Sequence, residues 1–226
     1  MQEATRIPPV SPVRVEADPD EPLSRWLWLV KWLLLIPHYL LLALLWVAFV
    51  VVTVIAFFAV LFTTRYPRPL FDFNLGVLRW SWRVSYYGAN AFATDRYPPF
   101  SLGERPDYPA RLTVVYPERL SRGLVLVKWW LLAIPHYLVV GILTAPPSGR
   151  EQASPPGLIT LLAFFAIIAV AFTATYPRGL FDLIIGLNRW VLRVVAYVAL
   201  MTDVHPPYRL DQGPRDPGTE NPTTLP

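Results

Sequence analysis

The sequence predicts an all-α integral membrane protein of two tandem repeats, each a transmembrane helical hairpin plus an amphipathic interfacial helix, with short strand-like cytoplasmic segments. Three observations carry that expectation. Of 226 residues, 54% are hydrophobic, and they are concentrated: 26–62 and 158–174 hold one charged residue between them, Lys31. Uninterrupted apolar runs of this length match the hydrocarbon thickness of a bilayer. The chain also repeats itself, and its basic residues are distributed unevenly about the apolar runs.

The N-terminal stretch, 1–12, is rich in proline and polar residues and reads as a disordered tail. Residues 1–22 lack the short apolar core and small-residue cleavage site of a signal peptide, so the first apolar segment is expected to stay in the membrane. The first membrane repeat is placed at 13–100, a linker with a strand-like segment at 101–117, the second repeat at 118–210, and a second disordered tail at 211–226. The copies align string by string: LSRWLWLVKWLLLIPHYL at 23–40 with LSRGLVLVKWWLLAIPHYL at 120–138, and FTTRYPRPLFDFNLGVLRWSWRVSYY at 62–87 with FTATYPRGLFDLIIGLNRWVLRVVAY at 172–197. VRVEA at 13–17 and ARLTVV at 110–115 alternate in strand fashion before each copy and can pair at the cytoplasmic face.

The second copy carries about a dozen additional residues, a polar Pro/Gly/Ser stretch between Leu143 and Gly157. In the first copy the equivalent apolar stretch runs unbroken from Trp26 to Thr64. A single helix of that length would be ~60 Å long, about twice the hydrocarbon thickness. A hairpin is therefore expected in each copy, turning near Leu45–Val47 in the first and at the polar loop in the second. A long tilted helix preceded by an interfacial helix ending at Pro37 is the alternative, because 45–47 contains no Gly, Pro or Asn.

The third segment of each copy sets Arg79 and Arg83, or Arg189 and Arg193, one helical turn apart beside Trp80 or Trp190. Paired arginines are costly at the centre of a span, so an interfacial helix is expected there. With two spans and one interfacial helix per copy, nineteen of the twenty Lys and Arg residues share one side, and Arg150 falls on the other. The positive-inside rule then gives a multi-pass protein of the cell membrane with both termini cytoplasmic.

At IPHY, YPRxLFD, LRWxxR and TDRYPP the chain resembles the membrane-protein family of domain of unknown function 4389, in two tandem copies over roughly 13–210. The resemblance implies a small integral membrane protein of the bacterial, typically actinobacterial, cytoplasmic membrane. It implies no reaction, cofactor or ligand. The second copy departs from the pattern at Val204-His205, where the first has Arg96-Tyr97.

The candidate residues are weighed against ordinary structural roles. His38 and His136 follow prolines inside apolar helices, and an imidazole can donate to a carbonyl that proline frees; a proton-relay or ligand site is the alternative. Asp72 and Asp182 are placed as helix N-caps, and Lys31 and Lys128 as snorkelling ends of the first span. Lys31, Arg68, Arg79 and Arg83, with Lys128, Arg178, Arg189 and Arg193, would line one membrane face twice. Anchoring explains them, and a pair of anionic-lipid headgroup sites is the sharper idea, because the guanidinium fork matches phosphate.

The chain contains no cysteine, which removes disulfides, thiolate metal sites and cysteine nucleophiles. The net charge of +4 flanks apolar segments rather than forming a nucleic-acid face. No catalytic residue, metal or cofactor is expected, and the partners expected are anionic membrane lipids and other membrane proteins. The function expected is that of a non-enzymatic accessory or scaffold protein, with a small transporter subunit next and a membrane-embedded lipid-acting enzyme third.

Overall fold

A computed structural model describes residues 11–88, 90–144 and 157–216. The loop expected to contain Ser148 and Arg150, residues 1–10 and residues 217–226 lie outside the described residues. The described chain is mostly helical with one small sheet: β1 (Val13–Ala17), α1 (Trp28–Thr63), α2 (Arg68–Tyr87), β2 (Ala110–Val114), α3 (Arg122–Val127), a π-helical turn at Lys128–Leu132, α4 (Ile134–Thr144), α5 (Leu158–Thr173) and α6 (Arg178–Val198).

In place of the hairpin expected in the first copy stands one unbroken helix of 36 residues. Nothing in Leu45–Val47 breaks it, and the apolar side chains there are used for packing: Leu45 and Trp46 lie against the cluster formed with α2, and the Trp46 indole donates to Ser81 at 3.2 Å. Its buried positions, Lys31, Leu35, His38, Leu42, Phe49, Ala56 and Val60, form one stripe at helical spacing. The rest of its circumference is apolar and exposed, with Leu44 70% and Phe62 72% accessible. It is long and apolar enough to cross a membrane, and so is the bent pair 122–132 and 134–144 taken together. The helix stops at Thr64, a left-handed residue (φ 62°) whose N–H returns to Val60, and the second copy stops identically at Ala174 (φ 56°).

The second copy is likewise not a hairpin. Contacts proceed in one direction along α6: Tyr197 lies beside Lys128, Trp190 beside His136, Leu187 in one cluster with both Leu143 and Ile159, and Phe181 beside Tyr176 at the far end of α5. Thus α3, α4 and α5 retrace the course of α1, with Gly157 packed against Leu143 and Thr144; a Cβ at Gly157 would meet the Leu143 carbonyl at 2.5 Å. The retraced helix bends by 48° before Pro135, whereas α1 passes Pro37 as a single helix.

The two long helical courses run antiparallel. Leu120 donates to the Thr64 carbonyl at 2.8 Å, Arg122 to that of Phe62 at 2.9 Å, and at the opposite end Trp28 and Lys31 share a small cavity with Ile167 and Val170. Beneath them lie α2 and α6, and beneath those the antiparallel pair β1–β2, in register Val15↔Leu112. Val13, Val15, Ala17, Ala110, Leu112 and Val114 all turn towards the helices. The strands expected from alternation therefore exist, and they pair with each other across the pseudo-two-fold axis relating the copies.

Candidate functional site

Each copy builds the same polar clamp on the inner side of its long helix. In the first, Asp95 accepts the Ser24 N–H at 2.5 Å and pairs with Lys31 at 2.9 Å, while the Lys31 ammonium also donates to the Thr94 carbonyl at 2.7 Å and stands over the Tyr87 ring. In the second, Asp203 accepts the Ser121 N–H at 2.6 Å and pairs with Lys128 at 2.9 Å, which donates to the Thr202 carbonyl and stands over Tyr197. Lys31 and Lys128 are 2% and 0% exposed, so they clamp the loop after the third segment to the helix instead of snorkelling. The Thr-Asp dipeptides are visible in both copies of the sequence; their partners, some seventy residues away, are not.

About two turns further along sit the histidines. His38 accepts the Trp80 indole N–H at Nδ1, 3.1 Å away, and stacks on Phe100 at 4.0 Å between centroids. It does not donate to a carbonyl freed by Pro37; the Tyr97 hydroxyl donates to the neighbouring Leu34 carbonyl instead. His136 stacks on Tyr208 at 4.8 Å and meets His205 with Nε2 atoms 3.3 Å apart. Near Pro135, Tyr137 donates to the Trp129 carbonyl and Trp130 to that of Leu126. Thus Tyr97 and His205, at the position where the copies differ, both pack on the histidine that follows the helix proline. Sequence reasoning did not connect His205 with His136, although TDRYPP and TDVHPP align them.

The paired arginines in the middle of α2 and α6 face the strands and loops rather than open surface. Arg79 donates to the Leu112 carbonyl at 3.0 Å and pairs with Glu104. Arg83 donates to the carbonyls of Ser101 and Gly103; burial pulls its guanidinium down to about 10, which leaves it charged at neutral pH. Arg189, fully buried, donates to the carbonyls of Val15, Asp211 and Gly213. Arg193 pairs with Asp211 at 2.6 Å and with Asp216. The segment 211–216, expected from composition to belong to a disordered tail, is docked on α6 by these pairs. Gly186 permits the approach, since a Cβ there would stand 3.1 Å from the Asp211 carbonyl.

Of the eight basic residues expected to meet anionic lipid, Arg68 and Arg178 are exposed; Arg79 is partly covered, and the other five are buried in protein contacts. Arg68 and Arg178 open α2 and α6, six residues after the exposed Phe62 and Phe172, and Arg68 lies over the Tyr116 ring at 4.2 Å. Asp72 and Asp182 are not caps, because α2 and α6 begin four residues earlier, after Pro67 and Pro177. Burial pushes the Tyr66 phenol up to about 12, where it accepts from Asn74 at 2.9 Å. Among the described residues no group of three or more His, Asp or Glu side chains is arranged to hold a metal ion.

Between the copies an apolar cleft of about 540 Å³ opens, lined by Phe49, Thr53 and Phe57 of α1, Tyr137 and Val140 of α4 and Val198 of α6 among others. The Thr53 hydroxyl donates to the Phe49 carbonyl and that of Tyr137 to the Trp129 carbonyl, so neither donates its proton into the cleft.

The model of one family, Domain of unknown function (DUF4389), matches residues 25–101 and 157–209. The second match starts at Gly157, which packs against Thr144. No curated protein and no solved structure matches the chain.

Proposed function

The chain belongs to the family of domain of unknown function DUF4389, and from that premise we propose that it is a non-enzymatic accessory or scaffold protein of the bacterial cytoplasmic membrane, associated with anionic lipid. The observation that carries this reading is the outward surface of the long helices. α1 alone leaves seventeen large apolar side chains between Trp28 and Thr63 in contact with solvent by more than a third of their area, and the second copy continues the same surface through Trp129, Ile134, Leu138, Phe164 and Phe172. Soluble monomers rarely expose contiguous apolar patches above a few hundred Å², whereas acyl chains satisfy such a surface.

Charge supports the lipid preference. Arg25, Arg65, Arg68, Arg122 and Arg178 are exposed at the ends of the long helices, the positions from which a guanidinium reaches a phosphate headgroup. The inward titratable groups are engaged with one another and with carbonyls in the clamps, which favours a structural over a catalytic use. The test is alkaline carbonate extraction of membranes followed by native mass spectrometry of the detergent-solubilised protein. Retention in the membrane pellet with phosphatidylglycerol or cardiolipin bound is expected; recovery of the folded chain in the aqueous supernatant overturns the proposal.

A further inference from the structure

We propose that the long helices lie in the plane of the membrane, embedded in the acyl region of one leaflet, and that neither long helical course crosses the bilayer. This rests on the membrane reading above and replaces spans with a single-leaflet seat. Three facts lead to it.

The first is what lies along α2. On its α1 side, Tyr87 packs with Leu35, Trp80 with His38, and Asn74 with Thr53, so the two helices run alongside each other for nearly the whole length of α2. On the opposite side, from end to end, lies polar chain: the Asp18 carbonyl on Tyr86, the Ser101 and Gly103 carbonyls on Arg83, the Leu112 carbonyl on Arg79 and Tyr116 on Arg68. Glu104, Arg105 and Asp107 in this layer are exposed. Standing α1 across a bilayer therefore carries the sheet and these charges to mid-membrane depth, where lipid-exposed loops and sheet edges do not occur. Laying α1 flat removes the conflict at every position at once.

The second is symmetry. α6 repeats the arrangement, with Val15, Asp211 and Gly213 on its far side and the α3–α5 course on its near side. The axis relating the copies runs from the sheet, through α2 and α6, to the long helices. Both apolar courses therefore face the same direction and can enter the same leaflet.

The third is dimension and charge. A helix is ~10–12 Å across and half of the ~30 Å hydrocarbon core is about 15 Å, so one layer of helices fits one leaflet. α1, at ~54 Å for its 36 residues, is far too long for an upright span but unremarkable lying flat. Exposed arginines stand at the helix ends, with the exposed Trp26, Trp32 and Trp130 in the same end segments, and such side chains prefer the headgroup level.

Because the chain has no cysteine, single substitutions each give a unique label. Leu33→Cys, Leu44→Cys, Ile55→Cys and Phe62→Cys lie on the exposed side of α1, so folding is not at stake. Each full-length variant is labelled with a bimane fluorophore and reconstituted in phosphatidylcholine/phosphatidylglycerol vesicles containing nitroxide lipids of graded depth. The seat predicts one shared depth at all four positions, although Leu33 and Phe62 are ~44 Å apart along the axis. It also predicts that Glu104→Cys and Thr113→Cys react from one side with an impermeant maleimide. A graded profile, with Leu44 deepest and Leu33 and Phe62 near opposite surfaces, overturns the seat but leaves membrane residence intact. No quenching at any position refutes membrane residence itself. Efficient Leu44–Leu44 disulfide crosslinking without quenching identifies a second copy as the cover and also overturns the seat.

Discussion

Removing the negative charge of Asp216 should destabilise the protein by about 3 kcal/mol, although composition places that residue in a tail. Arg193 and Asp216 are each 3% exposed in their side chains, and Asp211, Arg193's second partner, is 6% exposed. Removing one member of a buried pair leaves the other charge desolvated, at a cost of about 3–5 kcal/mol. Asp216→Asn belongs at the lower end, because Asp211 still holds Arg193 at 2.6 Å; Arg189, which meets Asp216 at 3.3 Å, keeps its carbonyl acceptors. For a chain of this size each kcal/mol moves Tm by about 2–4 °C, so the expected fall is about 6–12 °C. Deleting 211–226 removes both carboxylates and should cost at least as much. Thermal melts followed by circular dichroism in a lipid–detergent micelle measure both, and Arg193→Met/Asp216→Leu should recover only part of the loss, because Asp211 keeps Arg209 while the buried Val15 N–H loses its acceptor. If the deletion leaves Tm within about 2 °C of wild type, the tail is not docked and the burial of Arg193 has another cause.

Two shorter expectations follow from the other contacts. His38→Leu leaves the buried Trp80 indole N–H without its acceptor and should cost about 1–3 kcal/mol in denaturant-free stability, whereas His38→Gln keeps an acceptor and should lose less; equal losses would show that the imidazole's stacking on Phe100, not the hydrogen bond, is what matters. Arg68→Gln/Arg178→Gln should deplete anionic lipid in native mass spectrometry, with each charge near the headgroups worth about 1 kcal/mol, while Arg83→Gln/Arg193→Gln should lower Tm instead; the reverse pattern would place the lipid contacts on the inward arginines.

How much of this was legible in the sequence varies with the range of the interaction concerned. The repeat, the strands at 13–17 and 110–114, and the arginine-bearing third helix are all local patterns; the strands lie where alternation puts them, and the third helix is present but starts at Arg68 and Arg178, four residues before the aspartates expected to cap it. The hairpin is an expectation from length: close to forty apolar residues exceed an upright span, yet no residue at 45–47 turns the chain and Trp46 is committed to Ser81. The polar face of α2 and α6 was assigned to headgroups because the acceptors it meets are distant in sequence. Val15 lies 174 positions from Arg189, and an unmatched arginine on an amphipathic helix looks the same whether a phosphate or a remote carbonyl completes it. The docking of Asp211 and Asp216 was hidden for the same reason, beneath a composition rich in Pro, Gly and Asp.

The strands are exchanged between the copies: β1, which precedes the first, lies against α6 of the second, and β2, which precedes the second, lies against α2 of the first. Chain order thus imposes an order of completion during synthesis. The first long helix and α2 emerge with the underside of α2 open until β2 arrives, whereas β1 waits for α6 and for Asp216, whose carboxylate accepts the Val15 N–H at 2.8 Å. Domains of most proteins close one after another as they leave the ribosome; here the contacts of the earliest strand with α6 form only after the last helix has been made. In the nascent chain β1 can pair with β2 as soon as Val114 is made, but its inward face and the Val15 N–H wait for α6 and Asp216, nearly the end of the described chain.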